Sequence, residues 1–163
     1  KTNGNWEYDI VEMGYKYNLT DYAACFGLWQ MGQIDKWQKR RTEIVFKYKE
    51  ALSRIDSIRL PNINDGHAKH LFVIRLDLER WSISRNSFVA KMNERGIGLA
   101  VHYKPLHQLL YYKQKYGFDI DEFPMANTLY ESIVSLPIYP NLADDSINYI
   151  IDSIIDLYNK YSK

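Results

Sequence analysis

The run Tyr22-Ala-Ala-Cys-Phe-Gly-Leu-Trp29 constrains this chain more than any other feature. Thr20 and Asp21 ahead of it supply the N-cap and the first-turn acid of a helix. A helix that is apolar nearly all round is buried, or lies between two bodies. The run is far shorter than the roughly 18 residues that cross a bilayer, so no membrane is expected to cover it. Cys25 in that setting reads as inert core filler, because a buried thiol in apolar surroundings keeps a high pKa. Gly32 and Asp35 are expected to kink or cap the helix. Ahead of it, residues 1–19 carry Trp6, Tyr8, Tyr15 and Tyr17 with Gly4 and Gly14, and read as an extended arm.

The rest of the chain reads as one domain, since 163 residues suffice for a core without staples. Ile34, Trp37, Ile44, Val45, Tyr48, Ala51, Leu52 and Ile55 recur at helical spacing and predict a second helix. Its opposite face, with Lys36, Lys39, Arg40, Arg41 and Glu43, reads as solvated. Ile58 to Leu60 is a short strand stopped by Pro61, and Leu71 to Leu76 is a central one. Ser84 caps a helix that Gly96 ends, and Ile97 to Tyr103 is a further strand. Leu109 to Tyr116 is a short helix, and Pro124 opens another running towards Ile133. Ser135 to Tyr139 is an edge strand interrupted by Pro137, and an isoleucine stripe from Ile147 to Ile155 marks the last helix. The expected class is α+β, a sheet of three or four strands with helices on one face. No strand, Gly-rich loop and helix follow one another as a phosphate cradle requires.

Charge and residue inventory narrow the chemistry. A net charge of +1 steers the chain to neither nucleic acid nor a membrane surface. One cysteine excludes a disulfide framework, and a reducing, cytoplasmic setting is the default. His67, His70, His102 and His107 are all the histidines, and with one apolar-helix cysteine they make no zinc pattern. No metal site, nucleophile elbow or other catalytic residue is therefore assigned. The polar cluster Val101-His-Tyr-Lys-Pro-Leu-His107 sits where a strand ends, a place where scaffolds hold binding groups. Lys104 and His107 offer donors for phosphate or carboxylate, and a polar turn closed by Pro105 is an equally open reading. The second cluster, Gly14-Tyr-Lys-Tyr-Asn-Leu-Thr-Asp21, leads into a helix N-terminus, which favours an anion. Simple capping is the plainer account of it.

Those two clusters, with Ile34-Asp-Lys-Trp-Gln-Lys-Arg-Arg-Thr-Glu-Ile44, His70-Leu-Phe-Val-Ile-Arg75, Glu94-Arg-Gly-Ile-Gly98 and Ser135-Leu-Pro-Ile-Tyr-Pro140, resemble the C-terminal part of DegT/StrS-type aminotransferases. The resemblance covers essentially the whole chain. It implies a pyridoxal-phosphate (PLP) enzyme acting on nucleotide-linked keto-sugars, with an aspartate-aminotransferase-like fold of type I. Lys16-Tyr17-Asn18 is most similar to the branch aminating the 4-keto position of UDP-sugars for surface polysaccharide or lipid A, while more distant members read Gly-Tyr-Asn-Tyr-Arg there.

What the resemblance implies is a small C-terminal domain over residues 20–163, including the long helices 20–55, with the large cofactor domain absent. The Schiff-base lysine, the Asp on the pyridine nitrogen and the stacking aromatic then lie outside this chain. PLP acts as an electron sink only with such groups, so the chain alone is not expected to transaminate. By the same resemblance Asn18 and Lys16 serve the cofactor phosphate, Asn18 across a homodimer built on the arm and helix 20–33. His102 and Tyr103 stand near the sugar, and Lys104 or His107 near the diphosphate. Glutamate is the expected amino donor. The chain begins at Lys1 with no initiator Met or signal-peptide pattern, as expected for part of a longer protein. The competing readings are a stand-alone nucleotide-sugar-binding module and an oligomerisation domain with a Tyr-rich interface.

Overall fold

The computed structural model describes residues 9–163, so Gly4, Trp6 and Tyr8 of the expected arm lie outside the described residues. The chain divides into two compact units, residues up to Ile34 and Asp35–Lys163.

In the first unit, residues 9–20 have no regular secondary structure and are exposed. Thr20 Oγ1 accepts the Ala23 N–H at 3.3 Å, the expected N-cap of α1 (Asp21–Leu52). The apolar run does form a helix, but it is not buried: Tyr22, Phe26 and Trp29 are 55–78% exposed. Cys25 is exposed too, which corrects its reading as core filler. Sequence pattern records that a surface is apolar and carries no record of what covers it. A second correction concerns the break expected at Gly32 and Asp35, because α1 is one continuous helix of 32 residues. A single glycine in a helix costs about 1 kcal/mol, too little to stop one anchored further along.

The second unit holds that anchor. Ile44, Val45, Tyr48 and Leu52 of α1 are buried at the spacing read from the sequence. They pack in one core with a three-stranded antiparallel sheet of order β1 (Ile58–Arg59), β2 (Phe72–Leu76) and β3 (Ile133–Leu136). Along β2, Phe72, Ile74 and Leu76 are buried while Val73 and Arg75 are partly open, so one face of the central strand is sealed. Helix α2 (Arg85–Glu94) adds Phe88 and Met92, with Ser84 Oγ accepting the Ser87 N–H and Gly96 beyond its end at φ 76°. Two further helices are α3 (Leu110–Tyr116) and α4 (Pro124–Ser132), the latter opened by its proline as expected. Helix α5 (Asp144–Tyr161) contributes Ile147, Ile150, Ile151, Ile154 and Leu157.

Polar links fasten this core. Arg40 was expected to be solvated, yet its Nη2 donates to Leu142 O and to Asp144 Oδ1, both at 2.6 Å, and Lys47 Nζ pairs with Asp144 Oδ2 at 2.8 Å. Those two cations, Lys47 first, hold the Asp144 carboxyl below the usual carboxylate range. Tyr48 donates its buried hydroxyl to Pro137 O at 2.9 Å, and burial pushes its pKa up.

The expected strand Ile97–Tyr103 is absent, and this is the third correction. It survives as one antiparallel bridge, Ala100 with Ser135. Ser135 N–H donates to Ala100 O at 2.8 Å and Ala100 N–H returns the bond at 3.4 Å. The next such pair would set Gly98 opposite Pro137. Proline has no N–H to give, so the ladder cannot extend by a further rung towards Ile97.

Candidate functional site

The segment after Ala100 leaves the sheet at that rung and runs across the surface. His102 comes first, half-buried, with Nδ1 2.8 Å from Ser135 Oγ. Tyr103 follows, 72% exposed, its ring edge-on to His102 at 4.7 Å and 71°. The peptide between them is cis. Lys104 is exposed, and Pro105 leads into a 3₁₀ turn at Leu106–Gln108. His102, Tyr103 and Lys104 thus form one stretch, with a half-buried imidazole beside an exposed phenol and an exposed ammonium. Such donors suit the oxygens of a sugar or a phosphate.

His107 does not share that exposure. It is buried to 6%, with Nε2 2.7 Å from Asn127 Oδ1. Gln108 Nε2 donates to the same oxygen at 2.7 Å, and Asn127 Nδ2 donates to Ile120 O at 2.5 Å. The His107 ring lies 4.7 Å from that of Phe123, tilted by 31°. One amide on α4 therefore ties the loop to a second 3₁₀ turn, Ile120–Glu122. Ser135 and Asn127 hold the two histidines of the loop, and neither shows it in the sequence. Ser135 opens Ser135-Leu-Pro-Ile-Tyr-Pro140, without a sign that its hydroxyl reaches 33 residues back. Asn127 stands in Pro124-Met-Ala-Asn-Thr-Leu-Tyr130, which carries no motif at all.

Lys16 and Asn18 belong to the first unit, both exposed, in the segment before α1. An ammonium, an amide and the first N–H groups of a helix are each donors that suit an anion. Among the described residues no group of three or more His, Cys, Asp or Glu could hold a metal ion. Nor is any described helix long and apolar enough to cross a membrane. A separate cleft of about 340 Å³ is lined by Arg59, Arg75, Asp77, Glu79 and Glu131 among others, a lining of both signs of charge.

Helices around a small three-stranded antiparallel sheet are shared with sugar aminotransferases of fold type I, as a C-terminal domain would be. A structure of Spr1654 from Streptococcus pneumoniae, assigned as a sugar aminotransferase, superposes with a TM-score of 0.86 at 32% identity, over 98% of this chain and 40% of its own. That protein has also been solved in PLP and PMP forms. Helicobacter pylori PseC, an aminotransferase of pseudoaminic acid biosynthesis, superposes at 0.85 with 22% identity, a likeness of fold, over 95% of this chain and 42% of its own. In sequence, spore coat polysaccharide biosynthesis protein SpsC of Bacillus subtilis is 35% identical over 159 residues, 96% of this chain and 41% of its own length. The model of the DegT/DnrJ/EryC1/StrS aminotransferase family matches residues 1–155, and the chain belongs to that family. It spans about two fifths of the length of these relatives.

Proposed function

We propose that this chain is the C-terminal small domain of a PLP-dependent aminotransferase that moves an amino group from glutamate to a keto-sugar nucleotide, in cytoplasmic synthesis of a surface polysaccharide or glycan precursor. The observation that carries the site is the His102–Lys104 stretch, exposed at Tyr103 and Lys104 and anchored at the half-buried His102 through Ser135. The family match and the spore-coat relative support the chemistry and its setting. The Lys16-Tyr17-Asn18 signature supports the branch that aminates UDP-4-keto-sugars.

In this reading His102 and Tyr103 bind the sugar and Lys104 meets the diphosphate. His107, already bonded to Asn127, shapes the loop from beneath. Lys16 and Asn18 fit the phosphate of PLP, because an ammonium and an amide ahead of a helix start suit an anion. When bound, PLP supplies the electron sink for amino transfer. The residues of this chain bind and orient; the lysine that holds the cofactor is expected elsewhere, and residues 1–163 alone should not turn over. Residues 1–19 serve as an arm and 20–163 as the domain. The exposed Tyr22, Phe26 and Trp29 support a homodimer through the arm and helix 20–33.

The test is amination of a UDP-4-keto-sugar by the purified protein with PLP and glutamate, alongside residues 1–163 alone. Turnover by a longer form and none by the 163 residues is expected. Turnover by the 163 residues would overturn the assignment of the cofactor lysine to another segment.

A further inference from the structure

Of the residues on the exposed loop, His102 alone is tied by its side chain to the sheet. Its Nδ1 lies 2.8 Å from Ser135 Oγ, and Ser135 is only 4% exposed. Ser135 is fixed from both sides: it is opposite Val73 in the β2–β3 ladder and exchanges backbone bonds with Ala100. Its hydroxyl carries one proton, and a hydroxyl shut off from water has to place that proton on an acceptor. Among the described residues the hydroxyl's one hydrogen-bond partner is His102 Nδ1.

A neutral imidazole that accepts at Nδ1 carries its own proton on Nε2. The reverse arrangement, with Nδ1–H donating to Oγ, leaves the serine proton stranded in a closed site, which is the costlier state. We infer that Ser135 is a positioning residue that presents His102 as a neutral Nε2–H donor to an acceptor oxygen of the sugar nucleotide. This rests on the proposed reading of the loop as the sugar-nucleotide contact. The Tyr103 ring against its edge, at 4.7 Å, helps hold the imidazole in that attitude. A donor at Nε2 selects hydroxyl, carbonyl or phosphate oxygens. It rejects an ammonium group, and it cannot serve as a general base while the proton stays there. His102 therefore acts in binding and specificity, with Ser135 setting its polarity.

The test uses protein labelled with ¹⁵N-histidine at pH 8, where an ordinary histidine is neutral. Long-range ¹H–¹⁵N spectra report which ring nitrogen bears the proton. His102 is expected as the Nε2–H form alone, turning into a mixture of tautomers in Ser135→Ala and returning in Ser135→Thr. A proton on Nδ1, or a wild-type mixture, overturns the inference without any variant. An unchanged spectrum in a folded Ser135→Ala does so as well. UDP-N-acetylglucosamine and UDP are then added separately at millimolar concentration. A shift of the His102 Nε2 signal with both assigns the acceptor to the diphosphate; a shift with the sugar attached alone assigns it to the sugar. A clean Nε2–H form that neither ligand moves sinks the ligand-binding half of the inference and the reading of the loop, and leaves the Ser135–His102 bond standing.

Discussion

Replacing Asn127 with alanine should loosen the loop that carries the candidate site. The Asn127 amide makes three hydrogen bonds, accepting from His107 Nε2 and Gln108 Nε2 at 2.7 Å each and donating to Ile120 O at 2.5 Å. A typical intramolecular hydrogen bond contributes about 0.5–1.5 kcal/mol net. Two of these three are partly exposed, so water can replace them at little cost. His107 is different: at 6% exposure its Nε2–H would lose its acceptor inside the protein, which costs about 1–3 kcal/mol. The expected total is about 2 kcal/mol, read from urea unfolding with an unchanged m-value. Amide exchange at Leu106–Gln108 should rise with it. Asn127→Asp keeps the acceptor for both donors and loses the bond to Ile120 O, so its stability should fall between wild type and Asn127→Ala. A loss below about 0.5 kcal/mol in Asn127→Ala, with exchange unchanged, would refute the clasp.

Three further outcomes follow from the same structure. Tyr48→Phe leaves Pro137 O without its donor and should cost about 1–3 kcal/mol in denaturant unfolding, while the aromatic contact to Phe72 is kept. Asp144 has its pKa lowered in the folded state, so its contribution is present above the ordinary carboxylate pKa and is lost as pH falls through the folded value. An acid titration of stability should therefore be shallower below about pH 4 in Asp144→Asn than in wild type. Asn18→Ala in the PLP-bound protein should weaken cofactor retention by about 1–3 kcal/mol, the size of a charge-assisted bond to phosphate, as measured by PLP dissociation. Unchanged retention would remove Asn18 from the phosphate site.

Local signals in the sequence were reliable where the physics is local. The alternation from Phe72 to Leu76, the Ser84 cap, the Gly96 stop, the proline at the start of α4 and the isoleucine stripe of α5 all depend on neighbours within one turn or one pleat. The misreadings arose where distant partners decide. The segment from Ile97 up to the Ala100 bridge could not extend the ladder, because Pro137, far along the chain, has no N–H for the next rung. Gly32 did not break α1, whose buried anchor from Ile44 to Leu52 holds the helix downstream. The loop from His102 to His107 was legible as a polar cluster at a strand end. That His102 points to a serine 33 residues on, and His107 to an amide 20 residues on, is a tertiary fact with no local trace. Four candidate residues that look alike in a string thus divide into two exposed, one half-buried and one buried.

The central claim is that the stretch His102–Lys104 receives a sugar nucleotide. It is tested most directly by titrating ¹⁵N-labelled protein with UDP-N-acetylglucosamine up to millimolar concentration and mapping which amide signals move. The account predicts movement at His102, Tyr103, Lys104 and their support at Ser135, with the cleft lined by Arg59 and Arg75 silent. Signals that stay still from His102 to Lys104, or that move at Arg59 and Arg75 instead, would contradict it.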